Sequence, residues 1–289
     1  MASLIDIRRR LKSVKNTQQI TRAMKMVAAA KLRRAQDRVI AARPYAQALR
    51  DVLASVSSRG KEDAHPLLAS REEKRIALLV VAGDKGLAGA FNSNIQRAVT
   101  GLLAESRGWE SVEILPIGKK ALDYWRRRQT PLSKRSYAGI FSRIEYAHAR
   151  EMAEHLASEF TSGRIDAAYI VYNEFKSVIA QIVRVERLLP ISRSETSLAE
   201  AGATVDYLYE PGPEEILARL LPRYLEFVIF RVLLESSAAE HGARMTAMDS
   251  ASRNAGEMID SLTLTYNRAR QARITKELIE IVSGATAQG

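Results

Sequence analysis

Apolar and small residues recur at alternating intervals of three and four along the first part of the chain. They are Leu4, Ile7, Leu11 and Val14, then Met24, Ala28, Ala35, Val39, Ala42, Ala46, Leu49, Leu53 and Val56. The same rhythm returns near the other end at Met245, Met248, Ala255, Ile259, Leu262, Tyr266 and Ala269, with Ser252 as its polar member. This alternation is the seam of a coiled coil. The two runs, over 4–56 and roughly 213–283, each lack a mate within their own half of the chain. They predict two helices of unusual length, folded back on each other as an antiparallel coiled coil.

Between them the period changes. Ile76–Ala82 is an unbroken apolar run of strand length, followed by Gly83-Asp84-Lys85-Gly86-Leu87-Ala88-Gly89 and an amphipathic helix to about Ser106. Val112–Ile117 predicts a second strand, Gly118–Arg128 a short helix, and Ile144–Ser162 a longer one stopped by Gly163. Asp166–Lys176, Val178–Leu188 and the short Val205–Tyr209 predict three more strands. Strands alternating with helices give an open, mainly parallel sheet. The predicted class is therefore α/β: a long antiparallel coiled coil of the N- and C-terminal helices plus a central Rossmann-like α/β domain. The division falls at 1–58, 59–212 and 213–289, with a polar linker after Ser57 and the breaker Pro211-Gly212-Pro213. Pro44 is expected to kink the first helix and Pro222 to disturb the last.

Charge sharpens this picture. Of a net +11, almost all lies on residues 1–58, which carry 13 Lys and Arg against Asp6, Asp37 and Asp51. A basic helix implies an acidic partner surface: nucleic acid, anionic lipid or an acidic protein segment. Single-stranded nucleic acid calls for exposed aromatics among the basic residues, and Tyr45 is the sole aromatic of residues 1–58. A coiled-coil nucleic-acid-binding protein is thus the weaker alternative. The chain has no cysteine, which excludes disulfides and thiol chemistry. No apolar run reaches the length of a membrane span, and the start lacks the pattern of a secretory signal.

Candidate chemistry is sparse. The Gly83, Gly86, Gly89 turn matches neither the dinucleotide fingerprint nor the phosphate loop, and tight turning accounts for its glycines. His65, His148, His155 and His241 are scattered, and His148 and His155 stand seven apart, too far for the usual metal pair. No catalytic, cofactor-binding or metal site is expected on this chain.

The two ends are more specific. One reads Ile7-Arg8-Arg9-Arg10 and on through Asn16-Thr17-Gln18-Gln19-Ile20-Thr21-Arg22-Ala23-Met24-Lys25-Met26-Val27-Ala28; the other reads Ile274-Thr275, Glu277, Glu280 and Gly284-Ala285. With Gly86-Leu87-Ala88-Gly89 and Asp206-Tyr207-Leu208-Tyr209-Glu210-Pro211 in the middle, the chain resembles the gamma subunit of F-type ATP synthase along essentially its whole length.

The resemblance implies a non-catalytic rotor shaft. It would couple proton flow through a membrane ring of c subunits to ATP synthesis or hydrolysis in a ring of alpha and beta subunits, with an epsilon subunit at its foot. It implies no nucleic acid and no small-molecule substrate. The membrane would be reached only through partners, at the cytoplasmic face of the bacterial plasma (inner) membrane. Arg22, Met24 and Lys25 would face an acidic lever of a beta subunit, and Arg244, Arg270, Gln271 and Thr275 the catch loops of the ring. Residues from Ile274 onward, Leu278 among them, would fill an apolar sleeve. Chloroplast members carry an inserted cysteine pair; this chain has none, and Ala88 stands where cysteine can occur.

Overall fold

The structure is a computed structural model describing residues 3–57, 65–105, 108–128, 130–191 and 212–286. Its elements are α1 (Leu4–Ser57), β1 (Arg75–Val81), α2 (Phe91–Glu105), β2 (Ser111–Ile117), α3 (Lys119–Trp125), α4 (Tyr146–Thr161), β3 (Ala167–Phe175), β4 (Gln181–Leu189) and α5 (Pro213–Thr286). The strand expected at 205–209, and most of the linker after Ser57, lie outside the described residues. Helix α1 stays helical through Pro44, and α5 through Pro222.

The sheet runs β2-β1-β3-β4. β1 pairs parallel with β2 and β3, and β4 closes one edge antiparallel to β3 through a tight hairpin. Every residue of β1 after Arg75 is buried, as expected of a parallel strand covered on both faces. Alternate side chains sort between two cores. Ala77, Leu79, Val81, Leu115, Ile117, Ala168 and Ile170 point to the face covered by α4 and by parts of α1 and α5. Leu78, Val80, Ile114 and Val171 meet Ile95 and Val99 of α2 and Ala121 and Trp125 of α3 on the other.

Local chemistry fixes the ends of these elements. α4 closes as expected at Gly163, whose φ of 70° suits a residue without Cβ. The Gly163 N–H donates to the Phe160 carbonyl and the Arg164 N–H to that of Glu159, which satisfies two of the last free carbonyls. The entries of β1 and β3 are tied by Asp166. Its carboxylate accepts the Arg75 backbone N–H and, through both oxygens, the Arg75 guanidinium at 3.0 and 2.7 Å.

The chain packs as two compact units. One is residues 29–244; the other joins the segment up to Ala28 with the segment from Met245 onward. Within the larger unit α5 is buried almost all round, through Leu217, Leu221, Leu225, Ile229, Val232, Leu233 and Ala239. That explains why no single seam is readable in this part of the helix.

Candidate partner-binding surfaces

In the smaller unit the seam of α1 is unbroken. Leu4, Ile7, Leu11, Val14, Gln18, Thr21, Lys25 and Ala28 are buried or half-buried in strict three-and-four order. Three members are polar, and each is satisfied. Gln18 Nε2 donates to the Ser252 carbonyl at 3.3 Å, Thr21 Oγ1 donates to the Gln18 carbonyl at 3.0 Å, and Lys25 Nζ meets Asp249 Oδ1 at 2.5 Å. The hydrogen bond from Lys25, acting against partial burial, holds the Asp249 carboxyl below the usual range. Opposite this polar layer α5 supplies small residues: Ser252, Ala255, and Gly256, where a Cβ would stand 3.1 Å from the Gln18 amide nitrogen. Polar seam positions trade stability for a defined register.

The expected contact residues fall into three settings. Arg22 is exposed, Met24 is half-buried at the seam's edge, and Lys25 lies in the seam, engaged by Asp249. Arg33 and Arg34, further along α1 in the larger unit, are exposed.

At the far end of α5 the surroundings change. The pairings of Lys25 with Asp249 and of Gln18 with Ser252 and Gly256 carry Leu4 to the level of Tyr266–Ala269. Beyond that level α5 outruns α1, and Arg270 to Ser283 are all exposed. Arg270, Gln271 and Thr275 form a polar belt there. Ile274, Leu278, Ile279, Ile281 and Val282 leave 46% to 67% of their surface open to water. Arg273 with Glu277 (2.7 Å) and Lys276 with Glu280 (3.6 Å) pair one turn apart along this end.

Arg244 stands elsewhere. Its side chain is only 12% exposed and bridges Glu240 Oε1, at 2.5 Å, and the Gly86 carbonyl, at 3.2 Å. Within the chain the side chain turns toward Glu240, one turn earlier on α5 and itself buried, while the catch-loop contact that the resemblance implies for Arg244 concerns a partner surface outside this chain. Burial raises the Glu240 carboxyl pKa, with Arg244 opposing the shift. The glycine turn after β1 is organised by the chain's own groups. The Gly83 N–H donates to Asn92 Oδ1, and Asp84 accepts the N–H groups of Lys119, Gly139 and Phe141. In open α/β sheets ligands bind at the carboxyl ends of strands where the connections diverge, here between β1 and β3. In this chain Ala239 and Ala243 of α5 pack at that place against Ala88, Phe91 and Phe175.

The histidines serve locally. His65 Nδ1 accepts the Leu67 N–H, His148 Nδ1 that of Glu145, and His155 faces Glu159 at 3.9 Å. His241 lies beside Arg244, and its pKa is lowered to about 4 by burial and then by the charge of Arg244.

A chain that holds a two-helix coiled coil and a Rossmann-like domain, with an open apolar helix end, is of the stalk type. The family model described as ATP synthase matches residues 3–288. An ATP synthase gamma chain of Solibacter usitatus is 53% identical over 291 residues, covering 99% of each chain. One from Anaeromyxobacter sp. (strain Fw109-5) is 50% identical over 291 residues, again with 99% of each chain covered. Among solved structures, a chain of the Euglena gracilis mitochondrial ATP synthase (OSCP/F1/c-ring) superposes with a TM-score of 0.70 at 23% identity. That match covers 99% of this chain and 94% of that one. A chain of the Tetrahymena thermophila mitochondrial ATP synthase central stalk/c-ring superposes at 0.59 with 26% identity, covering 81% and 99%. The chain belongs to the ATP synthase gamma-chain family, the central rotor stalk of the F-type enzyme. It is a peripheral part of a membrane-bound complex, and no helix among the described residues is long and apolar enough to cross a membrane.

Proposed function

We propose that the chain transmits torque through two distinct contacts with a ring of alpha and beta subunits. The observation that carries this reading is the end of α5, where Arg270 to Ser283 are exposed residue by residue yet include five large aliphatic side chains. A rotating bearing needs apolar, non-directional contact, because directional hydrogen bonds would trap one angle. Ile274 and Leu278 are assigned to that bearing. Arg270, Gln271 and Thr275 are assigned to angle-dependent hydrogen bonds with catch loops of the ring. Arg22 and Met24, with Lys25 contributing what Asp249 leaves free, face an acidic lever of a beta subunit. The division by partner follows 1–58, 59–212 and 213–289, with the central part meeting epsilon and the c ring. The complex sits at the cytoplasmic face of a bacterial inner membrane.

The test is co-purification of the chain with alpha, beta and epsilon subunits, followed by charge reversal. Lys25 is unsuitable for reversal, since glutamate there would face Asp249 inside the coiled coil. Arg22, Arg33 and Arg34 are exposed, so replacing all three by glutamate should change stability by less than about 0.5 kcal/mol each. Ion uptake per ATP hydrolysed in membrane vesicles should fall while the complex stays assembled. Unchanged uptake would remove the lever from this reading.

A further inference from the structure

We propose that Glu240 and Arg244 form a rotational clamp that fixes the azimuth of α5 against the turn after β1, with Glu240 as a positioning residue for torque transfer. The proposal rests on the rotor reading above and adds to it the point at which the α/β body grips the helix.

The geometry carries it. Around this level α5 presents small residues, Ala239, Gly242 and Ala243, to Ala88, Phe91 and Phe175. Small apolar contacts hold a helix close to its neighbour but resist rolling about its own axis only weakly, since apolar attraction has no direction. Hydrogen bonds with charge on one partner do have direction and are the stronger kind. Glu240 and Arg244 supply them here. The Glu240 residue is 4% exposed, and its carboxylate lies over the backbone of Gly83 so closely that a Cβ there would be 2.7 Å from Oε1 and 2.8 Å from Cδ. Arg244 takes the same Oε1 and reaches on to the Gly86 carbonyl. The grip therefore holds the turn at its start and its middle. The turn is anchored in its own right by Asn92 and by Asp84, whose three accepted N–H groups reach the start of α3 and the segment 139–141. Load placed on Arg244 thus passes through Gly86 and Asp84 to the start of α3 and the segment 139–141, both after β2 in the chain.

Two single substitutions open the clamp by different routes. Glu240→Ala removes the carboxylate. Gly83→Ala keeps both charged residues but places a methyl where the carboxylate lies, forcing it out. The double variant relieves that clash without restoring the grip. In the full chain alone, amide hydrogen exchange at Lys119, Gly139 and Phe141, whose N–H groups Asp84 of the turn holds, should rise about tenfold in each variant, with β1 and β3 unchanged. In vesicles holding the whole complex, ion uptake per ATP hydrolysed should fall about threefold while hydrolysis itself is largely kept. The double variant should lose no more than either single one, because all three break a single grip.

Several results would overturn the clamp: unchanged exchange at Lys119, Gly139 and Phe141, uptake and hydrolysis falling in proportion, additive losses, or failure of all three variants to assemble, which would assign the pair to folding alone. If instead the wild-type vesicles fail to couple hydrolysis to uptake, the rotor reading fails, and the exchange experiment still decides whether the grip exists.

Discussion

At the scale of single residues, charge is neutralised inside the chain wherever burial forbids leaving it open. Asp166 is the clearest case. It is nearly inaccessible, yet it stays ionised because it accepts the Arg75 guanidinium through both oxygens and a backbone N–H besides. The hydrogen bond from Arg75 is the largest influence and holds the carboxyl below the usual range, against the opposing effect of burial. A depressed folded pKa stabilises the fold fully above the unfolded value of about 3.9, and the contribution is lost as pH falls through the lower folded value. Asp166→Asn should therefore melt earlier than wild type at pH 7. The two melting curves should begin to approach each other below about pH 4 and converge only below the depressed folded pKa, once both side chains are neutral. A gap that persists unchanged into acid would mean that shape, rather than charge, ties the entries of β1 and β3.

At the scale of elements, glycines in one helix have opposite values according to what faces them. Gly256 sits mid-helix with only the end of the flexible Gln18 side chain near its missing Cβ, and that amide need shift only a few tenths of an ångström, lengthening its bond to the Ser252 carbonyl. Gly256→Ala should stabilise the chain by about 0.5–1 kcal/mol, the ordinary helix preference for alanine. Gly242 has the Phe175 ring 3.2 Å from the same point, with Gln181 and the Val178 carbonyl at 3.6 Å. A packed ring cannot retreat without opening space elsewhere, so Gly242→Ala should forfeit that gain or destabilise the chain. Urea melts of the two variants, side by side, read the contrast directly; equal gains would refute it. The same contrast shows what was legible in the sequence. Long helices and strands announced themselves by period, and the three parallel strands came out within a residue or two of β1, β2 and β3. Between Val14 and Met24 the apolar pattern lapses, because Gln18, Thr21 and Lys25 carry the seam there. Strict spacing through polar positions would have found them. The Glu240–Arg244 pair was written one turn apart in the sequence, but its burial depends on Gly83, far away along the chain.

At the scale of the whole molecule, the end of α5 is one part, among the described residues, that its own fold leaves unsatisfied. Ile274, Leu278, Ile279, Ile281 and Val282 keep between 46% and 67% of their surface in water. Fully burying an aliphatic side chain is worth about 1.5–3 kcal/mol, so roughly half of that remains to be gained at each position on assembly. The isolated chain should accordingly bind a hydrophobic dye, and binding should drop when Ile279–Gly289 is removed. In the assembled enzyme that deletion should reduce torque or assembly only modestly, since Ile274 and Leu278 stay in place and apolar contacts substitute for one another. The belt below behaves differently. If Arg270 and Gln271 make the directional bonds proposed for them, a lost direction has no substitute, so replacing both should impair turnover more than replacing an exposed control such as Asn267. Belt variants with full turnover, beside a deletion that abolishes activity, would show that the apolar end carries the torque and that bearing and catch are one surface.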